Sequence, residues 1–203
     1  MGKDIAIGLS GIALLILAVF LALHFKVQSG VSVLPTATTT TSKLYVHSNP
    51  AFAVRYPLGF SVDESHIYTA MGPGKDIPGV AFVIPQNMSA GTNLSPDSYV
   101  SVEWLNGVSC TPASFLDSPT ATTTVIDGST QYQVATSGGA GAGNLYEETV
   151  YVVGCTAIRY FLHSTNIGNY PAGAVTEYNR AAVIAAFDSI RHSYTTSTAS
   201  LVD

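Results

Sequence analysis

The chain has 203 residues, of which 10% are charged and 47% hydrophobic, with a formal net charge of −5. That length suits one domain of ordinary size with a short appendage. From Leu44 onward five basic residues stand against twelve acidic ones, a balance of −7; this excludes a basic footprint for phosphate backbones, so nucleic acid is not an expected partner.

The first element is the uncharged run IAIGLSGIALLILAVFLAL, residues 5–23. As a helix it would cover about 28 Å, close to the hydrocarbon core of a bilayer. It is longer than the apolar core of a cleaved secretory signal, and no small-residue cleavage site of good form follows. The run therefore predicts an uncleaved transmembrane signal-anchor over 1–26. A short N-terminal flank before a large C-terminal part favours a single pass, with the domain outside the cytoplasm at the cell membrane. Residues 27–43, VQSGVSVLPTATTTTSK, are rich in Thr and Ser with little to bury, and predict an extended linker. The folded domain is expected over 44–194, and 195–203, TTSTASLVD, as a flexible tail.

Inside the domain, period-2 patterning dominates. Residues 51–56 place Phe52, Val54 and Tyr56 on one face of a strand, with Ala51, Ala53 and Arg55 on the other. A second strand begins at Gly59-Phe60-Ser61-Val62. The run 79–84, GVAFVI, is apolar on both faces and reads as central. Strand 98–105 sends Val100, Val102 and Trp104 toward the core and Tyr99, Ser101 and Glu103 away from it. Thr111 and Pro112 open a short helix in 110-CTPASFLD-117. Strands follow over 121–127, 130–136, 145–153 and 155–163, and the glycine run Gly138–Gly143 reads as a flexible hairpin loop. From Thr176 to about Tyr194, Val183, Phe187, Ile190 and Tyr194 recur at helical spacing. They predict an amphipathic helix, with Glu177–Arg180 and Asp188–Arg191 as pairs on its wet side. Strands with one apolar and one polar face, closed by one late helix, predict an α+β fold: a mostly antiparallel sheet covered by the C-terminal helix.

Two cysteines, Cys110 and Cys155, fall in the domain. In an exported protein they leave one intrachain pairing, so a disulfide is expected.

The F-x-V-x-Y-P run at 52–57, followed by Gly59-Phe60, with the mostly antiparallel sheet and the closing helix, resembles the PsbP-like family, which is named for an extrinsic protein of photosystem II. The resemblance spans roughly residues 45–192. Many members carry tryptophan after the turn where this chain has Phe60. The resemblance implies the fold and a place outside the cytoplasm. It transfers no catalytic residue.

Motifs for chemistry are sparse. The glycine run lacks the spacing of a dinucleotide fingerprint and sits between strands, without the helix N-terminus that holds phosphate. Asp63-Glu64-Ser65-His66 crowds three donor types into one turn, where no fourth ligand is fixed, and reads as a solvated turn. Glu147 and Glu148 are adjacent in a strand and point to opposite faces. No nucleophile elbow and no His-Glu-x-x-His appears. No cofactor and no metal ligand set is therefore expected, and binding is expected rather than catalysis. The binding surface is placed on the polar sheet face at Arg55, Tyr99, Glu103 and Arg159, for an envelope protein or a glycan. The alternatives are an envelope hydrolase with a His/Asp/Ser set assembled in space, drawing on His47, His66, His163 or His192, and a purely structural envelope component.

Overall fold

A computed structural model describes residues 42–107 and 109–196. The expected anchor and most of the expected linker lie outside the described residues, as do residues 197–203. Among the described residues no helix is long and apolar enough to cross a membrane.

The chain opens with an antiparallel pair, β1 (Ser42–Ser48) and β2 (Ala51–Pro57), which forms a two-stranded sheet of its own. Ser42 and Lys43, at the end of the segment read as linker, are thus strand residues. The main sheet follows: β3 (Ser61–Asp63), β4 (Ile67–Tyr68), β5 (Ile77–Val83), β6 (Tyr99–Trp104), β7 (Thr123–Asp127), β8 (Thr130–Gly141), β9 (Asn144–Val153) and β10 (Thr156–Thr165). Its order is β3-β5-β6-β10-β9-β8-β7, with β4 also paired to β5, and every pairing is antiparallel. A single-turn helix, α1 (Gln86–Ser89), follows β5, and α2 (Arg180–His192) closes the fold. The architecture is the α+β arrangement of an antiparallel sheet under a C-terminal helix.

Helix α2 starts where Asn179 accepts a hydrogen bond from the Ala182 N–H, 3.0 Å, satisfying a donor that the first turn leaves free. It buries Val183, Phe187 and Ile190. These pack on the inner sheet face made by Phe82, Val100, Val102, Ile158, Tyr160 and Leu162, together with Phe52, Val54 and Tyr56 of β2. Ala53 bridges to Thr195 through two backbone hydrogen bonds, 2.9 and 3.0 Å, so Thr195 pairs with β2 instead of belonging to a loose tail. Of the expected wet-side helix pairs, Asp188–Arg191 forms at 3.1 Å but with Arg191 buried, while Arg180 reaches Glu147 on the sheet at 2.7 Å.

Two expectations are corrected. The outer sheet face is not simply wet. Its middle is covered by a second apolar cluster in which Phe115 and Leu116, just after the 3-10 turn Pro112–Ser114, join Tyr68 and Ile77 over Ala135, Val150, Val152 and Ala157. The glycine run is not a loop either. Gly138 to Gly141 continue β8, and the reversal falls on Ala142 (φ 50°) and Gly143 (φ 85°). Two successive positive φ angles give the hairpin turn whose twist suits the flanking strands.

The disulfide is present. Cys110 and Cys155 lie 4.9 Å apart at Cα and close a loop of 45 residues. The bond ties the start of the outer cover to the turn between β9 and β10.

Candidate functional site

Arg159 lies on the outer face of β10, the strand between β6 and β9. It stands opposite Ser101 on one side and Val150 on the other. Glu103 and Glu148 are therefore its diagonal neighbours on the two flanking strands, within reach of long side chains. Arg159 uses that reach fully. Its Nε donates to Glu103 Oε1 at 2.8 Å and one terminal nitrogen to Glu103 Oε2 at 2.9 Å, a bidentate pair. The other terminal nitrogen donates to Glu148 Oε2, and the Phe115 carbonyl takes a further bond. The Tyr68 ring covers the guanidinium, with its centroid 3.4 Å from Cζ. Tyr68 also donates its hydroxyl to the Glu148 carboxylate, at 2.9 Å to Oε2 and 3.1 Å to Oε1. Ser101 donates to Glu103 Oε1 at 2.6 Å, and His66 Nε2 lies 3.6 Å from the same oxygen.

Burial pushes the Glu103 carboxyl up. The Arg159 guanidinium, the His66 ring nearby and the hydrogen bonds from Arg159 and Ser101 outweigh it and hold the group below the usual carboxylate range. Burial likewise drives the Tyr68 and Tyr99 phenols upward, reinforced by nearby carboxylates.

Around this network runs a ladder of half-buried rings. His66 meets Tyr99 edge-on at 4.8 Å, and Tyr99 stacks on Phe161 at 4.9 Å. Phe161 lies 6.1 Å from Tyr146, which stacks on His163 at 4.6 Å. His163 donates its Nδ1–H to Asp97 at 2.9 Å, while its Nε2 has no hydrogen-bond partner. Ser98 Oγ accepts from the backbone N–H of His163, 3.0 Å, so this serine is spent on the main chain.

Beside the ladder an open cleft of about 480 Å³ is lined by Tyr68, Tyr146, Glu148, Phe161, Asp117 and the backbone of Gly138 and Gly139. Its origin is the register of β8 on β9. Gly139 stands opposite Tyr146, and Ser137 opposite Glu148. A strand that puts serine and glycine beside two large outer-face side chains leaves a hollow there. A Cβ added at Gly139 would meet nothing within 4 Å.

The four residues expected to bind are placed differently from one another. Glu103 and Arg159 come together but are both 0% exposed, because Tyr68 and the Phe115 segment roof them; their placement on a wet face is corrected. Tyr99 is half-buried in the ring ladder. Arg55 sits on β2, in the other sheet, where its N–H donates to Ser193 Oγ at 2.7 Å. Glu147 and Glu148 do point to opposite faces, one to Arg180 and the other to Arg159. In the turn at 63–66, Asp63 accepts from the Ser65 N–H and hydroxyl, and His66 leaves for the network. Among the described residues no group of three His, Cys, Asp or Glu is placed to hold a metal ion. Sequence reasoning missed Tyr68, Tyr146 and Phe161 as site residues. Aligning β9 on β10 would have exposed Glu148 as the diagonal partner of Arg159.

No family model matches the chain, and no curated protein matches it. Among solved structures it is similar to the cyanobacterial PsbP protein CyanoP from Synechocystis sp. PCC 6803. The sequence identity is 14% and the TM-score 0.40, over 79% of this chain and 95% of that one.

Proposed function

We propose that the protein is a membrane-anchored domain working outside the cytoplasm, where it binds or assembles with an envelope partner without turning over a substrate. The observation that carries this reading is the Cys110–Cys155 disulfide, since such bonds persist in oxidising compartments and are rare in the cytosol. The uncharged run 5–23 supports a single-pass anchor, and the Thr-rich segment 27–43 supports a spacer that lifts the domain from the bilayer. On this reading an anchor over 1–26 and a linker beginning at 27 precede the folded domain, whose pairing starts at Ser42 in β1 and extends to Thr195.

The contact belongs to the cleft on the outer face. Clefts of this size with aromatic walls and a few polar groups are where ligands are held. Tyr99 flanks it through Phe161, and Glu103 with Arg159 brace it from beneath. A photo-cross-linking residue at Ala70, on the cleft rim, should capture a partner in intact cells when the full chain is expressed. The same residue at Thr124, on the edge strand β7, should not. Equal capture from both positions would contradict the reading.

A second reading keeps one specific observation. The His163–Asp97 pair is a base with its orienting carboxylate, as an envelope hydrolase would need. Turnover of ester, peptide or glycoside substrates that disappears in His163→Ala would establish that reading in place of the first.

A further inference from the structure

We infer that the outer-face cleft receives a basic side chain, the guanidinium or ammonium of an arginine or lysine presented by a partner polypeptide. This rests on the binding reading above and names the ligand chemistry of the same cleft.

Two carboxylates, Glu103 and Glu148, share a single buried guanidinium, so the floor keeps one negative charge in excess. Asp117, exposed on the rim, adds another. None of the residues lining the cleft is lysine or arginine, so no cationic side chain there favours an anion. Glu148 is 14% exposed at its side chain, and its Oε1 accepts only the long bond from Tyr68, 3.1 Å. That oxygen keeps lone-pair capacity, and Glu148 lines the cleft, where a cationic donor would form a charge-assisted bond. The balance of −7 from Leu44 onward draws cations toward it.

Shape supplies the rest. Tyr146 and Phe161 offer apolar surface to an aliphatic stem, and the missing side chain of Gly139 leaves room for it to enter. One face of each ring is already taken. Tyr99 and Phe161 stack on each other, Tyr146 stacks on His163, and the Tyr68 face carries Arg159. A narrow stem ending in a cation fits the hollow beside Gly139 with the Glu148 carboxylate at its wall.

The test is a titration of isotope-labelled full-length protein in detergent micelles, followed by NMR. The probes are N-acetyl-arginine methylamide and its neutral isostere N-acetyl-citrulline methylamide. The arginine probe should shift the amides of Gly138, Gly139, Tyr146 and Glu148 saturably, and the citrulline probe should not. Gly139→Leu should abolish the response by filling the hollow. Asp117→Asn, an exposed change that leaves the fold alone, should weaken it about threefold. No shift with arginine, or an equal response to citrulline, overturns the inference. If that happens while cross-linking from Ala70 persists, the binding reading stands and only the ligand class falls.

Discussion

At the scale of single residues, the decisive feature is a fully buried arginine on a sheet face that alternation alone would leave in water. Arg159 is held by two carboxylates, a carbonyl and an aromatic ring. Removing one partner of such a pair strands the other charge without water, which costs more than the pair contributes. Arg159→Ala should therefore destabilise the domain by about 3–5 kcal/mol in chemical denaturation. Arg159→Met combined with Glu103→Leu should recover much of that loss, because no lone buried charge remains at Glu103. The pH dependence follows from the direction of the Glu103 shift. Its folded pKa is depressed, so its contribution is complete above the unfolded value of about 4.3 and is lost as pH falls through the folded one. Stability should decline below about pH 4.3, and Glu103→Gln should flatten that decline in melts taken across the acid range. Sequence showed that Arg159 and Glu103 share a face of the sheet. It gave no sign that the face was roofed, because the roof comes from Tyr68 and Phe115 in irregular segments with no period to read.

At the scale of elements, the strands and the closing helix were legible because burial imposes a period on them. Phe52, Val54 and Tyr56 in β2, Val100 and Val102 in β6, and Val183, Phe187 and Ile190 in α2 are all inside, as their spacing implied. Strand β1 was not legible, since Ser42–Ser48 leaves most of its side chains exposed and so lacks that period. The glycine run misled for a related reason. Glycine signals freedom of the backbone, yet here the β9 ladder holds Gly138–Gly141 in register. Helix packing rests heavily on Phe187, which is fully buried 5.4 Å from the Tyr160 ring. Phe187→Ala should cost about 3–5 kcal/mol, read as a shift of the denaturation midpoint. The disulfide anchors the outer cover, and replacing both cysteines by serine should cost about 4 kcal/mol at most, since the loop it closes has 45 residues. If the roof depends on that bond, hydrogen exchange should rise around Phe115 and Tyr68 before it rises in β10.

At the scale of the whole molecule, an apolar run, a threonine-rich spacer and a disulfide-tied sheet domain make one proposal: a recognition surface held away from a membrane on its outer side. The candidate cleft was barely legible in the sequence. It arises from the pairing of β8 with β9, and pairing register between distant segments leaves no local pattern. The placement is tested most directly by mass spectrometry of the protein from carbonate-washed membranes, after alkylation of intact cells without reductant. The account predicts a full-length chain that retains residues 5–23 and carries Cys110 linked to Cys155. A soluble chain with a new N-terminus near Gly30, or both cysteines recovered as alkylated thiols, would contradict it.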